Sequence, residues 1–312
     1  MTEQDEQAGL VALPGDTGRE ALLRIARGCC VAFDEHLSRL FETDDPDGPH
    51  KARVALRRLR TALWAFEPIL KPGFARKTGR RARELFRVIG TLRDADVLAE
   101  HQAGQRGGRA AAAHAERIRA EVRARLRQQE ALRFGPKLLR RLAGESWQGG
   151  NRRAGALRNR PVTVMAARAL GDAWAACLAH GGDLGAMAET ERHDLRKDLK
   201  TMRYMAEFFG PLWPGHAQAA FLNRMKGLQD ALGDLNDLAL LRAEGAGGAS
   251  AAESLDLAQR LWTELSSGGL WWPDAEVSAG TDMAIRTDAG IDEGARNDAP
   301  ARKGRRTAPV ES

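Results

Sequence analysis

The stretch HKARVALRRLR, residues 50–60, sets His50 and five Lys or Arg side chains within eleven residues. In a helix, at about 100° per residue, His50, Arg53, Arg57 and Arg60 fall within roughly 80° of one another. Leu56, Leu59, Leu63 and Phe66 gather on another face, centred roughly 120° away. The pattern predicts a helix with one face for a core and one face of positive charge. Like charges at this density repel, so a ligand of opposite sign is the expected compensation. Guanidinium groups grip phosphate oxygens in pairs, and anion binding is the chemistry such a face can do. The competing reading is a solvated charged face, the usual state of a lone basic helix.

The face is not alone. HDLRKDLKTMRYMAEFFGP, residues 193–211, matches HKARVALRRLRTALWAFEP, residues 50–68, at an offset of 143. His193 falls on His50, Arg196 on Arg53, Lys200 on Arg57 and Arg203 on Arg60. Without gaps, the same offset carries Arg81 onto Arg224, Arg83 onto Lys226, Gly90 onto Gly233 and Asp94 onto Asp237. Helix-bundle patterning repeats leucines, but not a histidine, several cations, a glycine and an aspartate. The chain therefore reads as an internal duplication. Two basic faces related by a pseudo-two-fold axis can line one shared groove. Arg53, Arg57, Arg58 and Arg60, with Arg196, Lys197, Lys200 and Arg203, are the candidate anion ligands.

His50 and His193 open the two stripes, either as phosphate contacts or as structural histidines near a helix start. Arg81 and Arg224 fall on the apolar stripes of their helices, where an inward arginine needs an anion. Asp94 and Asp237 are protein candidates for that anion, and a cavity ligand is the alternative. Asp94 and Asp96 form D-x-D, which is read as ion pairing with arginines ahead of a Mg²⁺ site.

The elements that must position these residues are all helical. Apolar periodicity predicts helices over about 19–41, 49–66, 74–103, 110–142 (one long helix or a pair), 160–180, 186–209, 216–242 and 250–267. No alternating strand pattern recurs, so the class is all-α. TDDPDGP, residues 43–49, reads as a turn with Asp47 or a neighbour as helix cap. Residues 1–18 read as a disordered acidic terminus, 144–155 as a linker between halves 19–143 and 156–272, and 273–312 as a disordered tail.

Charge is unevenly spread along the 312 residues. Residues 50–141 carry 24 Lys or Arg against 8 Asp or Glu, while the whole chain has a formal net charge of only +6. A field concentrated in this way recruits polyanions: nucleic acid, anionic lipid or phosphate polymers. Cys29, Cys30 and Cys177 form neither a disulfide framework nor a zinc spacing, which fits a reduced cytosol. No apolar run reaches membrane-spanning length and no signal peptide is evident, so a cytoplasmic protein without a membrane partner is expected.

The pattern H-x-x-R-x-x-x-[RK]-x-x-R at His50–Arg60 and His193–Arg203, with G-x-x-x-D at Gly90–Asp94 and Gly233–Asp237, resembles the CHAD domain, the conserved histidine α-helical domain. The resemblance covers roughly residues 19–270. It implies two antiparallel helical bundles around a basic central cavity, binding of inorganic polyphosphate and association with polyphosphate granules in a bacterial cytoplasm. With polyphosphate as the ligand, the contacts expected from the basic faces and stripes are His50, Arg53, Arg57, Arg58, Arg60, Arg81, His193, Arg196, Lys197, Lys200, Arg203 and Arg224. Some relatives carry a fused triphosphate-tunnel domain, which needs E-x-E-x-K on a strand. ETERH, residues 189–193, lacks the lysine and leads into a helix. The second copy also departs from the family pattern, with Thr201 where Arg58 stands.

Non-catalytic polyphosphate binding is therefore expected, without a cofactor beyond a divalent cation travelling with the polyanion. An enzyme is disfavoured because no P-loop, HD-type metal cluster or HExxH is present. A nucleic-acid module is the other alternative. The basic band permits it, but a single Tyr and no helix-turn-helix pattern argue against it.

Overall fold

The structure, a computed structural model, describes residues 9–104, 106–242 and 249–273, without the side chains of 236–242 and 249–251. Ten α-helices and no strand are found among the described residues. They are α1 (Gly18–Glu42), α2 (Asp47–Ala65), α3 (Pro72–His101), α4 (Gly108–Gln128), α5 (Phe134–Ala143), α6 (Arg152–Asn159), α7 (Thr163–Leu178), α8 (Glu189–Phe209), α9 (His216–Arg242) and α10 (Ala249–Ser267). The all-α class read from the sequence holds.

Local chemistry sets the boundaries of the helices that matter for function. Thr17 caps α1 in a capping box: its hydroxyl accepts from the Glu20 N–H at 3.3 Å, and Glu20 accepts from the Thr17 N–H at 2.9 Å. Pro46 stands at the N-cap of α2 and cannot cap through its side chain; just before it, the Asp45 carboxylate accepts the Asp47 N–H at 2.9 Å and turns the chain into the helix. Helix α2 ends at Ala65, and Pro68 turns the chain through a short 3₁₀ turn, Glu67–Ile69. Pro72 then opens α3 at a position where its missing N–H costs nothing.

The apolar stripes pack α1 on α2, α2 on α3 and α3 on α4 in the first half, and α7 on α8, α8 on α9 and α9 on α10 in the second. The halves meet where α2 packs against α8. Phe66 and Phe209, equivalent positions in the duplication, lie 5.9 Å apart between ring centroids at this junction, and both are fully buried.

Two segments differ from their sequence reading. Residues 9–17, read as part of a disordered terminus, are held in place. Leu10 and Ala12 are buried, the Ala12 N–H donates to the Phe208 carbonyl at 2.8 Å, and Asp16 binds Arg24 at 3.0 Å. The segment packs Leu10 beside Gly28 on α1 and pins Ala12 to the end of α8. Residues 144–155, read as a linker, carry the fully buried Trp147, whose indole donates to the Leu142 carbonyl at 3.0 Å. Lys71 donates to the Trp147 carbonyl at 2.7 Å, and Gly149 to the Ile69 carbonyl at 2.9 Å. Asn151 caps α6 within the same stretch. Glycine spacing suggested a free strand of chain, but the tryptophan fastens it to the α2–α3 turn. Of the tail expected from 273 onward, only Pro273 is described, and the rest lies outside the described residues.

Candidate polyanion-binding site

The two basic stripes come together across the junction of α2 and α8. Lys200, on α8, is partly buried, and its ammonium group is pushed down to about 8. Burial is the largest cause, followed by the positive charges of Arg57, Arg196, Arg203 and Arg53. Two of those four, Arg53 and Arg57, belong to the other copy of the repeat. Arg60 is lowered by burial and then by Arg83, Arg57 and Arg87. Among the described residues, no carboxylate forms an ion pair with Arg57, Arg60 or Lys200. The centre of the site is thus a set of crowded cations whose protein neighbours are other cations.

The periphery is held by specific contacts. Phe86 on α3 offers its ring to Arg53 at 4.4 Å and to Arg57 at 5.2 Å, a cation–π platform that fixes both guanidinium groups. Gly90, one turn further along α3, lies against Arg53, and a Cβ there would overlap its Nη1. Asp94 approaches Arg53 at 3.9 Å with its own side chain largely in solvent. In the second copy Gly233 repeats the approach more loosely, its virtual Cβ 3.8 Å from Arg196 Nη2. The side chain of Asp237 lies outside the described residues. The duplicated glycines therefore sit where a helix must pass close to the first arginine of each stripe.

Not every expected ligand joins the cluster freely. Arg58 crosses from α2 to α8 and binds Glu207 at 2.9 Å, and Arg203 binds the other oxygen of Glu207 at 2.6 Å. Tyr204, fully buried, lies under both guanidinium groups, 5.5 Å from Arg58 and 5.0 Å from Arg203. Arg58 is a brace between the halves, which accounts for its missing counterpart at Thr201. Arg203 serves the brace and still adds its charge to the field at Lys200. Lys197 is exposed and pairs with Asp194 at 2.7 Å, one turn earlier on α8.

Arg81 and Arg224 stand apart from the cluster. Arg81 hydrogen-bonds the carbonyl and side chain of Gln129 at the end of α4, and binds Glu84 at 3.3 Å. Arg224 is exposed and binds Glu264 on α10 at 3.0 Å. Arg81 ties α3 to the end of α4 and Arg224 ties α9 to α10; Glu84 and Glu264 supply their carboxylates, and Arg224 faces solvent where its stripe predicts an inward position. Of the two aspartates read for that role, Asp94 faces Arg53 instead, and the side chain of Asp237 lies outside the described residues; Asp96 forms a buried pair with Arg119 at 2.7 Å. Among the described residues no group of three or more His, Cys, Asp or Glu is placed to hold a metal ion.

The histidines differ. His50 is held below its ordinary range by desolvation and then by Arg93, with Arg53 and Arg57 adding to the effect. His193 is exposed beside Asp194. Sequence reasoning missed Arg83, Arg87, Arg93 and Phe86, all on α3. Their signal was present: Arg83 and Arg87 stand at i and i+4, on the helical face that also carries Gly90 and Asp94.

The all-helical fold thus brings cations of the two repeat copies, Arg53 and Arg57 on α2 and Lys200 on α8, to one junction. The CHAD domain profile matches residues 24–245, and the chain belongs to the CHAD domain family. The crystal structure of the CHAD domain from the plant Ricinus communis is similar in fold, with a TM-score of 0.63 and 21% identity over 88% of this chain and 95% of that one. A second solved structure, PptA from Streptomyces chartreusis, aligns with a TM-score of 0.45 and 16% identity, over 86% of this chain and all of that one. No curated protein matches the sequence. No helix among the described residues is long and apolar enough to cross a membrane.

Proposed function

We propose that this protein binds inorganic polyphosphate, without turning it over, in a groove formed where the basic faces of α2 and α8 meet. One observation carries the reading: Arg57, Arg60 and Lys200 are drawn together and partly buried with only cations as charged neighbours. Holding them so is unfavourable until an anion arrives. A base-free polyanion satisfies them best, since a linear phosphate polymer presents an oxygen-rich charge at every unit and needs no stacking platform. The inner groups are guanidinium and ammonium, which grip phosphate oxygens but are poor bases at neutral pH. Membership of the CHAD domain family supports the same ligand. Divalent cations travel with the polymer, and the protein acts in the cytoplasm, where a granule of polyphosphate would recruit it.

The test is calorimetric titration of the protein with long-chain polyphosphate at about 150 mM salt, where non-specific electrostatic binding is screened, against duplex and single-stranded DNA. Polyphosphate should bind and should displace DNA at far lower concentration than the reverse. Equal affinity for the two polymers would assign the site to nucleic acid. Phosphate release in the presence of Mg²⁺ would make the protein an enzyme.

A further inference from the structure

The two halves differ in what lies beside their basic stripes. On α3 the residues Arg76, Arg80, Arg83 and Arg87 are all exposed. Their helical positions span about 60°, opposite the face that buries Phe74, Leu85, Ile89 and Leu92. At the offset of the duplication their counterparts on α9 are Ala219, Asn223, Lys226 and Asp230. The first row carries four positive charges, and the second carries none net.

The row joins the site directly. Helices α2 and α3 run antiparallel, with Arg53 against Gly90, Arg57 over Phe86, and Arg60 in the field of Arg83 and Arg87. Continuing past Arg60, the track follows α3 toward its start, through Arg80 to Arg76. From Arg87 to Arg76 the row covers about 16 Å at the helical rise. Among the described residues its one ion pair is a marginal contact between Arg80 and Glu84 at 4.0 Å, and Glu84 is also engaged by Arg81 at 3.3 Å.

We propose that the Arg76–Arg80–Arg83–Arg87 row is a one-sided extension of the polyphosphate site. A chain seated between α2 and α8 runs out over the first half along α3 and not over α9. The protein therefore selects long phosphate polymers over short ones and binds them asymmetrically. The inference rests on the polyphosphate reading above, and its test separates the two.

The experiment titrates the intact protein, R76E/R80E and A219E/N223E with long-chain polyphosphate and with short chains of fewer than a dozen phosphates. The substituted side chains are exposed or, at the α9 positions, on the solvent side, and circular dichroism checks that all three proteins are folded. R76E/R80E should weaken long-chain binding about tenfold and reduce the slope of log affinity against log salt by about one to two, the loss expected for two phosphate contacts. Its short-chain affinity should stay within about twofold of the unsubstituted protein, and A219E/N223E should change neither. Loss of both chain lengths alike in R76E/R80E, no loss of either, or an equal loss in A219E/N223E would overturn the extension while leaving polyphosphate binding intact. Failure of the unsubstituted protein to bind either polymer would overturn the underlying reading instead.

Discussion

Gly90 lies so close to Arg53 that the smallest side chain at position 90 would displace the guanidinium tip. That tip belongs to a flexible side chain, so the fold can yield at little cost. Gly90→Ala should therefore leave thermal stability unchanged or raised, because alanine favours a helix interior by about 1 kcal/mol over glycine. Polyphosphate affinity should nonetheless fall severalfold as Arg53 is turned away from Phe86. Gly233→Ala meets only an ordinary contact with Arg196 and should gain the same stability without losing affinity. Thermal melts and titrations of the two variants check the contrast; an unchanged affinity in Gly90→Ala would separate Arg53 from the site.

Under the polyphosphate reading, Lys200 should make binding depend on pH. Its folded-state value of about 8 lies below that of an ordinary lysine. The cost to folding is therefore present below pH 8 and is relieved as pH rises from about 8 toward the ordinary lysine range. A bound polyanion restores the charged form, so binding near pH 8 to 9 should take up a proton. Affinity should fall as pH rises through that window. Titration in buffers of different ionisation enthalpy measures the uptake, and Lys200→Met should abolish it. The same variant should melt at a temperature higher by a few degrees in the absence of anion, and binding without proton uptake would assign the depressed lysine no role in the ligand.

Glu207 holds Arg58 and Arg203 together across the halves. All three side chains are less than a third exposed, at 17%, 29% and 26% for Arg58, Arg203 and Glu207. Glu207→Gln should destabilise the unliganded protein by about 1–3 kcal/mol, the usual range for charged hydrogen bonds left without a partner. Because it frees Arg58 and Arg203, the latter acting on Lys200, polyphosphate should recover more of that loss than it adds to the unsubstituted protein. Denaturant unfolding with and without polyphosphate measures both terms, and a ligand shift smaller than that of the unsubstituted protein would contradict a shared field at Lys200.

Much of this site was legible in the sequence because duplication is legible. The offset of 143 repeats a histidine, three cations and a glycine, and of these the cations Arg53 and Arg57 on α2 reach Lys200 on α8. What the sequence concealed was the division of labour among the arginines. Arg58 and Arg57 are adjacent in the chain, yet one is neutralised by Glu207 and the other has only cations and Phe86 beside it. The difference depends on which residue of a distant helix arrives opposite, and periodicity carries no such information. Arg81 and Arg224 were misread for a related reason. Arg81 is half-buried as its stripe predicts and finds the end of α4, but Arg224 faces solvent and pairs with Glu264 on α10. Trp147 was hidden among glycines, where composition suggested a linker and one large side chain decided otherwise.

The measurement that bears most directly on the account is polyphosphate titration of the charge-reversed pair R57E/K200E beside the unsubstituted protein. Both positions lie at the junction of the halves, and Arg57 is the leading charge acting on Lys200. The account predicts that binding at about 150 mM salt is abolished while helical circular dichroism is retained, since both groups are repelled by their neighbours and neither supports the core. Retained affinity in a folded R57E/K200E protein would contradict the claim that the two basic faces form one polyanion site.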